Sequence, residues 1–86
     1  MSGYAVDFTT AAARMVRRLD PPIRRRILAG IAGLAADPRP DGVRKLSGAE
    51  NAWRIRISAY RVIYEIHDNA LEVLVVEAGH RREVCR

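Results

Sequence analysis

Residues 53–66 read WRIRISAYRVIYEI, and this stretch decides the fold because apolar and polar side chains alternate in two runs separated by a short break. Alternation at every second residue is typical of strands that bury one face of a sheet. If the apolar side chains of both runs face the core, then Arg54, Arg56 and Arg61 lie together on the opposite face. The pattern therefore predicts two strands and a cationic sheet face.

The segments on either side extend this sheet. Residues 67–70 predict a turn, and the nearly all-apolar residues 71–76 predict a central strand buried on both faces, which suggests an antiparallel hairpin with the strand at 60–66. Val43 to Leu46 predict a short extended segment, and residues 4–8 alternate like a first strand.

Two helices are predicted between the first strand and the rest. The first starts at Thr9 or Thr10 and runs to Leu19, and the second starts at the carboxylate cap Asp20 with Pro21 and runs to about Ala36. Residues 1–86 are thus predicted to form a single α+β domain, in which an N-terminal strand and a two-helix hairpin pack on one face of a small antiparallel sheet.

Length and composition exclude several classes. Eighty-six residues are too few for a two-domain enzyme. A single cysteine excludes an intrachain disulfide framework, and no group of residues has metal-ligand spacing or forms a glycine-rich phosphate loop. We therefore expect no cofactor and no metal. No apolar run is long enough for a bilayer, and no signal peptide is recognised, so a cytoplasmic location without membrane contact is expected.

The charge balance points to a polyanionic partner. The net charge is +5, and fourteen of the fifteen basic residues are arginine, whose planar fork matches phosphate oxygens. Around the predicted cationic face, the basic residues near the strands are candidates for binding a nucleic-acid backbone: Arg44, Lys45, His80 and Arg82. Two other interpretations stay open at this point: a GC-rich genome also favours arginine, and an exposed sheet face is ordinarily polar.

The motifs together resemble the RelE toxins of bacterial type II toxin–antitoxin systems. The resemblance rests on Lys45-Leu46-Ser47-Gly48, on Trp53 to Ile57, on Tyr60 to Ile66, and on the ending Glu77-Ala78-Gly79-His80-Arg81-Arg82-Glu83-Val84. It covers essentially the whole chain. It implies a RelE-like fold and a metal-independent endoribonuclease that cuts mRNA on the ribosome, where the ribose 2′-OH attacks the adjacent phosphate.

The resemblance also implies site residues and partners. The family's catalytic positions correspond to Arg54, Arg56, Arg61, Arg81 and Cys85. Expected partners are a RelB-like antitoxin, the ribosome with its mRNA and 16S rRNA, and operator DNA only through the antitoxin complex. Arginine does not readily lose a proton, so Arg56 suits electrostatic stabilisation better than general-base work, which is left to His80 or the ribosome.

One departure from the family pattern concerns Cys85, which stands where relatives have a tyrosine expected to stack on an mRNA base. A thiol has no aromatic face, so reduced activity is expected. Two other functions therefore stay open: a ParE-like inhibitor of DNA gyrase, and a weakened toxin that acts as an antitoxin-binding and autoregulatory module.

Overall fold

The computed structural model describes residues 3–48 and 51–80. Its elements in chain order are β1 (Ala5–Phe8), α1 (Thr10–Arg17), α2 (Pro21–Gly33), β2 (Arg44–Lys45), β3 (Ala52–Ile57), β4 (Tyr60–His67), a 3₁₀ turn (Asp68–Ala70) and β5 (Glu72–His80). No helix in these two ranges is long and apolar enough to cross a membrane. The predicted α+β class and the order of elements are confirmed.

The five strands form one sheet in the order β1-β5-β4-β3-β2. Three neighbouring pairs are antiparallel, as expected, but β1 pairs with β5 in parallel, with Val6 opposite Val73. The sheet is therefore mixed rather than purely antiparallel. A parallel pair needs a long connection, and here everything between the first and last strands supplies it.

The core lies between the two helices and one face of the sheet. Alternate residues of β4 point into it, and the side chain of Tyr64 is fully buried there. A register shift between Ile63 and Tyr64 lets β5 present Val75 and Ala78 to the same core. The buried apolar residues are Ala12, Val16, Ile27, Ile31, Leu34, Val62, Tyr64, Ile66, Val73, Val75 and Ala78.

Helix and strand ends differ from the sequence prediction at several positions, and α1 ends at Arg17 rather than at Leu19. Thr9 caps α1 as expected, since its hydroxyl oxygen accepts a hydrogen bond from the Ala12 amide at 3.1 Å. Asp20 occupies the N-cap position of α2 but its carboxylate accepts no capping bond, and the helix ends at Gly33 instead of Ala36. Leu71, predicted to be buried, is 48% exposed because it adopts a left-handed turn conformation before β5.

The loop at residues 37–42 is anchored to the sheet by two groups of contacts. The Tyr64 hydroxyl donates a hydrogen bond to the Pro38 carbonyl at 2.8 Å in the core. At the surface, Arg39 forms an ion pair with Asp68 at 2.9 Å, and the Tyr4 hydroxyl donates to the same carboxylate at 2.7 Å. The hydrogen bonds from Arg39 and Tyr4 hold the pKa of Asp68 below its usual value. The loop is thereby tied to β4 and to the 3₁₀ turn.

Replacing Tyr64 with Phe should test how much the buried anchor contributes. We expect the free energy of unfolding at neutral pH to fall by roughly 1–3 kcal/mol, because the buried Pro38 carbonyl would lose its donor. Urea denaturation measures the change. Tyr60→Phe is the matched control, since the Tyr60 hydroxyl makes no hydrogen bond within residues 3–48 and 51–80. Equal stability of Tyr64→Phe and the wild type would contradict a stabilising role.

The buried Tyr64 hydroxyl should also make the stability of the protein depend on pH. Burial raises the pKa of Tyr64 to about 12, above the ordinary value of 10.0. A group whose pKa is raised by folding stabilises the folded state fully below its unfolded pKa, and that stability is lost as the pH rises through the folded value. Wild-type stability should thus decline between pH 10 and about 12, and it should decline less in Tyr64→Phe.

Candidate nucleic-acid interface

The alternation along β3 separates its side chains between the two faces of the sheet. Trp53, Ile55 and Ile57 pack against the core under the helices. Arg54 and Arg56 therefore project from the face that the helices do not cover. The sequence predicted this division, and it follows from the strand's two-residue period.

The strand register places arginines directly opposite one another on this face. Arg56 on β3 pairs with Arg61 on β4, and Arg54 on β3 pairs with Arg44 on β2. Like charges in directly opposite positions are destabilising by a few tenths to about 1 kcal/mol per pair. Two such pairs side by side concentrate positive charge on this face of the sheet.

These four arginines line one pocket of ≈ 400 Å³, together with Ile55, Asp41 and Gly42. We call it the arginine pocket. Within residues 3–48 and 51–80, none of the four guanidinium groups makes an ion pair or a side-chain hydrogen bond. Each therefore keeps all five of its N–H donors for a ligand. The pocket has the charge and the donors for the phosphates of a polynucleotide backbone.

Two of the predicted RNA-binding residues lie away from this pocket. His80 pairs with Tyr60, and their rings meet edge to face at 5.5 Å on the helix side of the sheet, beside Met15 and Leu19. Lys45 pairs with Trp53, and its ammonium lies 5.9 Å from the centre of the indole ring. The structure thus brings Arg44, Arg54, Arg56 and Arg61 together, but it brings neither His80 nor Lys45 to them.

The remaining predicted site residues are Arg81, Arg82 and Cys85, which lie outside the described residues. Conversely, the pocket contains Asp41, which the sequence reasoning did not single out. Asp-Gly after a proline marks a turn, and the loop was predicted on that composition. The sequence carries no signal for where the turn's side chain points, because that depends on how the loop packs against the sheet.

The arrangement can stabilise a reacting phosphodiester. When an oxygen attacks phosphorus, the five-coordinate transition state carries more negative charge than the starting diester. Guanidinium groups already held around it gain interaction energy as that charge develops. The arginine pocket provides four such groups, and no carboxylate of residues 3–48 and 51–80 is paired with any of them.

Comparisons with known proteins relate this chain to bacterial toxins. Residues 6–85 match the family described as the ParE toxin of the type II toxin–antitoxin system parDE. The toxin RelG of Mycobacterium tuberculosis is 32% identical over 87 residues, covering 96% of this chain and 97% of the relative. The mRNA interferase toxin RelE of Escherichia coli strain K12 is 28% identical over 80 residues, covering 91% and 83%.

A solved structure with a similar fold also relates this chain to type II toxins. The toxin–antitoxin complex RelBE2 of Mycobacterium tuberculosis contains a chain that matches with a TM-score of 0.82 and 28% identity, over 94% of each chain. A helix pair on a five-stranded sheet is thus the architecture of a type II toxin. This chain belongs to the ParE toxin family of type II toxin–antitoxin systems, and its relatives place it among the RelE-type toxins.

Proposed function

We propose that this chain is an mRNA interferase, a ribosome-dependent endoribonuclease that inhibits translation. The observation that carries the proposal is the arginine pocket, where four guanidinium groups converge and none is paired within the described residues. RNA supplies both reactants on one strand, because the ribose 2′-hydroxyl lies next to the phosphate that it attacks. The products are a 2′,3′-cyclic phosphate and a 5′-hydroxyl end, and no metal takes part.

Each arginine has a role in this proposal. Arg61, together with Arg81, contacts the scissile phosphate, and Arg54 and Arg56 stabilise the charge of the transition state. Arg44, at the outer edge of the sheet, extends the positive surface along the RNA backbone. Lys45, His80 and Arg82 are proposed to contact RNA around this centre, with His80 and Lys45 approaching from outside the arginine pocket.

A cognate RelB-like antitoxin is the proposed regulatory partner. The related RelBE2 toxin was solved in a toxin–antitoxin complex, which supports a partner of the same kind here. An acidic, leucine- or valine-bearing segment that folds on binding would neutralise the arginines and fill apolar grooves together. Operator DNA is proposed to be contacted only through the antitoxin, and 16S rRNA only on the ribosome.

Mapping mRNA 5′ ends after induction in a bacterial host tests the proposal. We expect new ends phased with codons within translated regions, and we expect them to disappear when the antitoxin is co-expressed. Arg61→Ala serves as the inactive control. Harmless expression without new mRNA ends would overturn the proposal and favour an antitoxin-binding module.

A ParE-like gyrase inhibitor is the second candidate, because the matching family carries the ParE name. Such a toxin needs a protein target and has no use for four uncompensated arginines around one pocket. The same induction experiment separates the two functions, since gyrase inhibition would produce DNA damage and altered supercoiling while leaving mRNA intact.

A further inference from the structure

The arginine pocket is also lined by one acidic residue, Asp41. Cleavage by a 2′-hydroxyl needs a group that accepts its proton, and guanidinium groups cannot do so because they stay protonated. Among the described residues that line the pocket, Asp41 is the one ionisable group that is not an arginine. His80, the other protein candidate considered for this task, lies on the helix side of the sheet against Tyr60.

Asp41 is an exposed residue that lines the arginine pocket. Although four arginines line the same pocket, Asp41 forms no ion pair and accepts no side-chain hydrogen bond within the described part of the chain. A carboxylate locked to a guanidinium would be a poor proton acceptor, because the bond favours its charged form. Asp41 instead keeps its lone pairs open while the arginines keep their donors for phosphate.

The backbone around Asp41 is held in place. Its loop is anchored by the Tyr64 hydroxyl at Pro38 and by the Arg39–Asp68 ion pair, and the Val43 amide donates to the Pro40 carbonyl at 3.2 Å across the turn. Gly42 has a φ of 91°, which L side chains rarely adopt, so the chain can turn sharply from Asp41 into β2. An anchored loop presents the carboxylate with less entropy to lose on binding.

We propose that Asp41 is the general base of the cleavage reaction, an inference that rests on the proposed ribonuclease function. Its carboxylate accepts the proton of the 2′-hydroxyl as the 2′ oxygen bonds to phosphorus. The bond from phosphorus to the 5′ oxygen breaks, and that oxygen takes a proton from water. The hydroxide so formed removes the proton from Asp41 and restores the carboxylate.

If Asp41 served only to bind RNA, its replacement would weaken RNA binding. If it is the general base, its replacement slows cleavage without weakening binding. Removing a negative charge from a pocket with four arginines strengthens its attraction for RNA. In Asp41→Asn we therefore expect cleavage at saturating toxin to slow by roughly 100- to 10,000-fold, the range for general-base catalysis. The toxin concentration for half-saturation should stay equal or fall.

The assay uses the whole toxin and mRNA-programmed ribosomes, with cleavage measured in a single turnover. Binding is measured separately with mRNA that carries a 2′-deoxynucleotide at the cleavage site and cannot react. Asp20→Asn is the matched control, because Asp20 is an exposed aspartate remote from the pocket with no side-chain capping bond. Asp41→Glu, which keeps the carboxylate, should retain more activity than Asp41→Asn, and thermal unfolding verifies that each variant folds.

Each possible result decides the question. Wild-type cleavage rates in Asp41→Asn, faster cleavage, or a loss explained wholly by weaker binding to the 2′-deoxy mRNA would overturn the assignment while leaving the ribonuclease intact. If the wild-type toxin itself does not cut mRNA on ribosomes, the proposed function fails and the assignment of Asp41 fails with it. Slow cleavage with preserved binding supports Asp41 as the base.

Discussion

Arg61→Ala is expected to lower the rate of mRNA cleavage by about 100- to 1,000-fold, the usual cost of removing one preplaced donor to a charge that develops in the transition state. Arg61 lies directly opposite Arg56 in the arginine pocket, near the middle of the cationic face. Single-turnover cleavage on programmed ribosomes measures the effect. Arg61→Lys should recover only part of the activity, because an ammonium group cannot form two parallel bonds to a phosphate.

The free energy of unfolding should change little in Arg61→Ala. This result would distinguish a functional arginine from a structural one. Arg61 makes no ion pair within the described residues, and its removal relieves repulsion with Arg56. Arg25→Ala is the matched control. Arg25 is exposed on α2, so its replacement removes the same charge far from the pocket. If Arg61→Ala unfolded the domain, or cut mRNA as fast as Arg25→Ala, the proposed role of Arg61 would be wrong.

Cys85→Tyr is expected to increase mRNA cleavage and toxicity. From the resemblance to RelE toxins, Cys85 is expected to stand where a tyrosine would stack on a base near the cut. Stacking of an aromatic side chain on a base contributes about 1–3 kcal/mol. If that energy is expressed in the transition state, the gain corresponds to roughly 5- to 150-fold in rate.

The substitution should leave antitoxin binding nearly unchanged, because the stacking contact is made only with RNA. Cleavage by both forms is compared on the same programmed ribosomes, and antitoxin affinity is measured in parallel. Cys85→Ser is the control for loss of the thiol alone, and it should cleave like the wild type. Equal rates for Cys85→Tyr and the wild type would show that other residues position the substrate, and Arg81 and Arg82 would be tested next.

The face on which each strand arginine lies could be predicted because it depends on local geometry. Consecutive residues of a strand point to opposite sides, so the apolar positions of 53–57 and 60–66 settle the side of Arg54, Arg56 and Arg61. The helices were predictable for the same local reason, since apolar spacing and a threonine cap are read within a few residues. Their ends were less certain because terminal turns depend on packing.

Contacts between distant segments could not be predicted from local pattern. The parallel pairing of β1 with β5 joins residues more than sixty positions apart, and no periodicity encodes the partner of an edge strand. His80 was grouped with the basic residues of the tail by sequence proximity. In the folded chain, His80 pairs with Tyr60 and lies on the helix side of the sheet. The bulge opposite Ile63 and Tyr64 interrupts the alternation of side chains along β5 and so changes the face on which His80 lies.

The sequence by itself determined the α+β class, the cationic sheet face and the toxin family, because alternation, charge and motif spacing are properties of neighbouring residues. Only the tertiary structure decided that Arg44 and Arg54 stand opposite each other, and that Asp41 enters the same pocket as the arginines. Those placements depend on strand register and on the anchoring of the loop by Tyr64 and Arg39. Both are set by long-range packing, which minimises the free energy of the whole chain rather than of any one segment.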